Sequence, residues 1–201
     1  MNITVYGASS NTLDSKYVKN IEKLGEILAK RGHGLVFGGG ASGAMGASAR
    51  GAKLGGAKKI LGIAPKFFNV DGVLFTECTD FIYTDDMRER KSLLESEADA
   101  FIIAPGGVGT FDEFFEILTL KQLGRHNKPM VLLNLFGYYD PLIKLMENAE
   151  KENCLNKATL DLYYVTDDIV KAFEYIENYN EPLRDLTYYK DVNNDLSDQQ
   201  D

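Results

Sequence analysis

The chain predicts an α/β fold, a single domain built on a mostly parallel sheet with helices on both faces. Three observations carry this. Short apolar runs alternate with segments of helical period along the length of the chain. The runs are apolar throughout rather than every second residue, as strands covered on both faces require. Glycine-rich turns follow the apolar runs, which puts loops at strand C-termini, where open parallel sheets hold their ligands. With 201 residues and 44% hydrophobic content, there is material for one sizeable core and too little length for two domains.

Taken in order, Ile3-Thr4-Val5-Tyr6 is a β-branched and aromatic run ending in Gly7-Ala8-Ser9-Ser10-Asn11-Thr12, so a first strand delivers hydroxyls, Ser9 among them, to its C-terminal end. From Leu13 the positions Val18, Ile21, Leu24, Ile27 and Leu28 have helical period, and Gly32 follows the basic last turn. Gly34-Leu35-Val36-Phe37 is a second strand, leading into Gly38-Gly39-Gly40-Ala41-Ser42-Gly43 and a helix of small residues to about Leu54. Gly38, Gly40 and Gly43 match the dinucleotide fingerprint. The acid that should meet the ribose about twenty residues on is missing, since no Asp or Glu occurs between Ala44 and Val70. A loop shaped around a smaller ligand is expected instead, and no cofactor.

Ile60-Leu61-Gly62-Ile63-Ala64 is a third strand, stopped by Pro65. Between Phe67 and Tyr83 lie aromatics that suit either loop-core packing or the wall of an adenine-sized pocket, with Phe81-Ile82-Tyr83 as a short strand. A helix follows from Asp85 to about Ala98. It carries Arg88, Arg90 and Lys91 in its opening turns, where cations oppose the helix dipole. Met87, Arg90 and Leu94 fall at i, i+3 and i+7, which turns Arg90 inward, toward a carboxylate or a phosphate.

Phe101-Ile102-Ile103-Ala104 then meets Pro105-Gly106-Gly107-Val108-Gly109-Thr110 and a strongly apolar helix to Gly124. Three glycines in four positions permit positive φ and close approach of a ligand, and the helix N-terminus behind them favours a phosphate. Thr110 and Glu113 also satisfy the capping box, in which Thr110 caps the helix and Glu113 reaches back to it. Glu113 and Glu116 lie one turn apart, two carboxylates among phenylalanines. A strand at 129–134, a helix at 141–151, an edge-like strand at Tyr163-Tyr164-Val165 and a helix capped by Asp167-Asp168 complete a domain of residues 1–180.

From Glu181 to the end there are six acids against two cations, a net charge of -4 out of the chain's -8, which reads as a loosely ordered acidic extension at 181–201. The acidity excludes a nucleic-acid surface. Cys78 and Cys154 have no metal-ligand or CxxC spacing, so both are expected as reduced, small buried residues in a cytoplasmic protein. No apolar run approaches the ~18 residues of a membrane span. His33 and His126 flank turns and are expected at the surface.

The motif Pro105-Gly106-Gly107-Val108-Gly109-Thr110-x-x-Glu113, with Met87-x-x-Arg90-Lys91 and Gly38-Gly39-Gly40 upstream, resembles the LONELY GUY family, whose members are often mislabelled lysine decarboxylases. The likeness runs from Ile3 to about Asn178. It implies a Rossmann-like homodimer that hydrolyses the N-glycosidic bond of cytokinin riboside 5'-monophosphates, and often of AMP. It further implies that Arg90 and Glu113 are catalytic. Nucleotide binding falls to Lys91, Gly106, Gly107, Gly109, Thr110 and Thr119, and in the same reading Ser9, Gly39, Gly40, Met87 and Glu116 join the site. Two positions depart from the family pattern: Arg88 replaces a common His, and Pro65-Lys66-Phe67-Phe68 has no counterpart of a binding glutamate. A nucleotide-binding or sensing module without chemistry is the rival reading. A pyridoxal-phosphate decarboxylase finds no legible cofactor pocket.

Overall fold

The computed structural model describes residues 1–183, so the acidic extension lies largely outside the described residues. Seven strands form one all-parallel sheet: β1 (Asn2–Tyr6), β2 (Gly34–Phe37), β3 (Ile60–Pro65), β4 (Asp80–Thr84), β5 (Ala100–Ile103), β6 (Met130–Leu133) and β7 (Tyr164–Thr166). Their order is β4-β3-β2-β1-β5-β6-β7. The chain winds outward from β1 in one direction, then returns to the middle and winds outward in the other. The strand order therefore reverses between β1 and β5, whose register pairs Ile3 with Ala100 and Tyr6 with Ile103.

Helices α1 (Ser15–Lys30), α2 (Gly43–Leu54) and α6 (Ile169–Glu177) cover one face, burying Ile21, Leu24, Leu28, Ala172 and Phe173 against Ile3, Val5, Leu35 and Ile102. Helices α3 (Met87–Ser96), α4 (Val108–Gln122) and α5 (Asp140–Lys151) cover the other, placing Leu94, Phe114, Ile117, Leu118 and Met146 on Tyr6, Ile63, Phe101 and Leu132. The three-layer α/β domain expected from the alternating pattern is thus the observed one. The parallel strands are apolar on both faces because both faces are covered. α1 and α2 approach so closely that a side chain on Gly25 would overlap the Ser48 carbonyl, and one on Gly51 the Glu22 carbonyl.

Several local expectations are corrected. His33 and His126 are buried, not exposed. His33 bonds Glu177, 144 positions away, at 2.9 Å. His126 donates from Nε2 to the Ile117 carbonyl at 2.8 Å and accepts at Nδ1 from the Lys128 amide at 3.2 Å, the pattern of a neutral ring. Burial pushes its pKa down to about 4. Cys78 is half-buried and Cys154 exposed, both as free thiols. Among the described residues no helix is long and apolar enough to cross a membrane.

Candidate active site

At the reversal point, the carboxyl ends of β1 and β5 open into a cavity of about 520 Å³. That volume is within the range of small-molecule sites. The turn after β5 forms one end of it. α4 begins at Val108 with Gly107 as its N-cap, and no side chain caps it. Phe111 is the first residue to close the helix, onto the Gly107 carbonyl, so the amides of Val108, Gly109 and Thr110 precede the helical ladder. The expected capping box does not form. The helix starts two residues before Thr110, so Thr110 lies in its first turn and packs under Gly106, while Glu113 points elsewhere.

None of Gly106, Gly107 and Gly109 has positive φ, against expectation. Their glycine identity answers to space instead. A side chain at Gly106 would collide with Thr110. At Gly107 and Gly109 a Cβ would meet no described atom within 4 Å, and both residues line the cavity. Two tyrosines hold the turn from behind: Tyr139 Oη donates to the Ala104 carbonyl at 2.7 Å and Tyr138 Oη to the Gly106 carbonyl at 2.6 Å.

Glu113, one and a half turns into α4, meets Arg90 on α3. Arg90 Nη1 donates to Glu113 Oε1 at 2.9 Å, with the two side chains only 7% and 9% exposed. Arg90 Nε donates to the Ile63 carbonyl at 3.2 Å, which fixes the guanidinium plane against the end of β3. The inward-facing arginine read from its helical stripe has found its carboxylate. Burial outweighs the attraction of Arg90 and lifts the Glu113 pKa to about 7, so both protonation states are populated near neutrality. Shifts of this kind, in a cleft and beside one charge partner, make a carboxylate a candidate functional group.

The turn after β2 forms another part of the wall, through Gly38, Gly40, Ser42 and Met45. It is not the open ligand loop that its glycines suggested. The amides of Ala44 and Met45 at the N-terminus of α2 are taken by the Ala8 carbonyl, at 2.7 and 3.3 Å. A segment between β3 and β4 folds back over the turn, with the Ala41 amide on the Val73 carbonyl at 2.9 Å and the Phe75 amide on the Gly39 carbonyl at 2.8 Å. That strap brings Phe68, Val73 and Leu74 to the cavity as an apolar wall, while Phe75 enters the core. Both uses weighed for the aromatics of this region are therefore present.

Of the residues expected at the site, Ser9, Gly40, Arg90, Gly107, Gly109, Thr110 and Glu113 line the cavity together. Gly39 and Gly106 lie just behind it, their missing side chains covered by Phe81 and Thr110. Met87 is exposed and outside the lining. Lys91, Glu116 and Thr119 border a separate shallow depression on the α3–α4 surface, with Asp112, Phe115 and Leu120. There Lys91 Nζ lies 3.0 Å from both Asp112 and Glu116, so Glu116 does not share a face with Glu113. Sequence reasoning named Gly38 only as part of its glycine loop and did not find Met45, Val73, Leu74, Tyr138 or Tyr139. The adjacent tyrosines after β6 were the one signal available for the last two. Among the described residues no lysine lines the cavity, and the buried Lys121 donates to the Lys128 and Leu162 carbonyls.

A parallel sheet of this order, with a glycine turn and an uncapped helix N-terminus at its reversal point, defines a Rossmann-like α/β protein. Solved structures share the fold. A molybdenum cofactor binding protein from Rippkaea orientalis superposes with a TM-score of 0.68 at 22% identity, over 88% of this chain and 94% of that one. A molybdenum cofactor carrier protein from Chlamydomonas reinhardtii gives 0.66 at 21%, over 88% and 95%. At these identities the likeness speaks for the fold alone.

The sequence relatives are more specific. A family model described as "Possible lysine decarboxylase" matches residues 45–176. The chain is 37% identical over 177 residues to a cytokinin riboside 5'-monophosphate phosphoribohydrolase of Rhodococcoides fascians, covering 88% of this chain and 89% of that protein. It is 34% identical over 182 residues to the protein of that name from Mycobacterium tuberculosis, covering 90% and 91%. The chain belongs to this family, the LONELY GUY phosphoribohydrolases, whose model carries the decarboxylase description. The relatives are hydrolases by name, and the reading of an enzyme stands with them.

Proposed function

We propose that this protein hydrolyses the N-glycosidic bond of a purine riboside 5'-monophosphate, of adenosine or of a cytokinin-type base, giving the free base and ribose 5-phosphate. The observation that carries the reading is the buried Arg90–Glu113 pair in a cavity whose other end is the uncapped start of α4. The 5'-phosphate suits the amides of Val108, Gly109 and Thr110, where a helix N-terminus and open glycine positions meet. Ser9 supplies a hydroxyl from the end of β1. The base suits the apolar wall of Met45, Phe68, Val73 and Leu74.

With phosphate and base held at the two ends, the ribose lies over Glu113. Breaking the bond from C1' to the base nitrogen leaves its electron pair on the base and positive charge on C1' and the ring oxygen. A carboxylate beneath the sugar stabilises that charge. Water adds its hydroxide to C1', and its proton ends on the departing base. Ionised Glu113 orients this water and accepts its proton in passage, a role that its pKa near 7 permits. Arg90 holds the carboxylate in place by a fixed two-sided contact. We further propose a homodimer, supported by the apolar residues Met87, Val108 and Phe115 that α3 and α4 leave exposed, and a cytoplasmic location.

The test is Glu113→Gln. Base release from AMP and from isopentenyladenosine monophosphate is expected to fall at least 100-fold, while a thermal shift still reports nucleotide binding. Turnover at the wild-type rate would remove Glu113 from the mechanism. A wild-type thermal shift with no base released would make the protein a binding module.

A further inference from the structure

We propose that Gly38 is a positioning residue for the reaction: the space its side chain would fill is the seat of the Arg90 guanidinium, and that seat sets Arg90 against Glu113. Built on the Gly38 backbone, a Cβ would overlap Arg90 Nη2 and stand 3.2 Å from its Cζ. The other two nitrogens are already committed, Nε to the Ile63 carbonyl at 3.2 Å and Nη1 to Glu113 at 2.9 Å. The guanidinium is therefore held on three sides, by the end of β3, by α4 and by the bare backbone at the end of β2. Only the last of these depends on a side chain being absent.

Gly38 does not need glycine for its backbone, since its φ is not in the positive range that Gly39 and Gly43 occupy. Nor is its backbone pressed by another backbone, as at Gly46. The atoms in its way are Arg90 and the Met45 sulfur, 2.9 Å from the Cβ position. A thioether shifts easily. A guanidinium bonded on two further sides does not. Its planar fork loses both contacts if it moves by the width of a methyl group.

The experiment combines Gly38→Ala, Arg90→Met and the double variant, each followed by thermal unfolding, by base release from AMP, and by 13C NMR titration of the Glu113 carboxyl. Methionine leaves the seat empty, and Glu113, deprived of its cation, takes up a proton instead of staying charged, so the double variant is compared with Arg90→Met and not with the wild type. In Gly38→Ala the guanidinium is pushed off its carboxylate, so the Glu113 titration moves up by about one unit or more. kcat falls roughly 30-fold with KM within about threefold, as expected when an interaction made in the transition state is lost. In the Arg90→Met background the same substitution changes neither the titration nor the unfolding midpoint by more than about 2 °C. If Gly38→Ala alone does not fold, recovery of a folded protein in the double variant supports the seat.

Two results overturn the proposal. One is a Glu113 titration unchanged in Gly38→Ala. The other is an equal effect of Gly38→Ala, on titration or on folding, with Arg90 absent. The kcat arm rests on the phosphoribohydrolase reading. If the wild-type protein releases no base, that reading falls, and the titration and unfolding arms still decide the role of Gly38.

Discussion

The turn after β2 carries Gly38, Gly40, Gly43 and Gly46, and at each the place of a side chain is taken by the chain itself: by Arg90, Met45, the Ala8 carbonyl and the Ala41 carbonyl. The turn after β5 carries Gly106, Gly107 and Gly109, and at the last two that place opens onto the cavity. The helix amides repeat the contrast. Those starting α2 are given to Ala8, and those starting α4 precede its ladder uncapped. In sequence both are glycine turns between a strand and a helix, and both suit a phosphate. Only the second leaves its side-chain positions and helix amides open, while the first meets the cavity through Gly38, Gly40 and Ser42 and is otherwise packed as part of the wall that holds Arg90.

The comparison separates two kinds of loss. Gly46→Ala should have the largest effect, and on folding. Its Cβ would overlap the Ala41 carbonyl, a backbone group with no rotamer to escape through. We expect about 3 kcal/mol of lost stability, roughly 6–12 °C in the unfolding midpoint of a chain this size, with KM for the nucleotide little changed. An unchanged midpoint with a raised KM would make this turn a ligand loop after all.

Gly109→Ala should do the opposite. No described atom lies within 4 Å of its Cβ position, so the protein folds, and alanine in a helix is favoured over glycine by up to about 1 kcal/mol. In the proposed binding mode the methyl group would stand where the 5'-phosphate approaches. We expect KM for AMP to rise about tenfold, worth about 1.4 kcal/mol. The unfolding midpoint should stay the same or rise. A KM at the wild-type value would show that no ligand group sits on this turn.

How far these differences were legible in sequence depends on how far away their cause lies. The strand runs and the inward turn of Arg90 and Leu94 are local patterns that the structure follows, although Met87 on the same stripe is exposed. Thr110-x-x-Glu113 is equally good as a capping box or as an active-site turn. What decides is Arg90, 23 positions earlier, which claims the carboxylate. The β2 glycines mislead partly for the same reason, because the atoms that fill Gly38 and Gly43 come from α3 and from the segment after β1, while Met45 and Ala41 of the turn itself fill Gly40 and Gly46. The strap over that turn has no period of its own. A single antiparallel bridge, Gly40 to Leu74, sets which of its residues face the cavity. His33 looked like a surface residue because its partner, Glu177, lies at the far end of the chain.

The smallest expected effect tests how the open turn keeps its shape. Gly107 and Gly109 have little around them, and the turn is anchored at Ala104 and Gly106 by the hydroxyls of Tyr139 and Tyr138. Tyr139 is fully buried, so its loss would confound shape with packing. Tyr138 is half-buried, and Tyr138→Phe removes one hydroxyl while keeping the ring against Tyr17 and Tyr139. A single hydrogen bond of this kind is worth about 1 kcal/mol, or about 2–4 °C in the midpoint. If the bond holds the amides of Val108 to Thr110 in register for a phosphate, KM rises about threefold and kcat is unchanged, since the anchor is distant from the bond that breaks. A fall in midpoint without any change in KM would mean that Thr110 packing under Gly106 suffices to shape the turn. The tyrosine would then serve the fold alone.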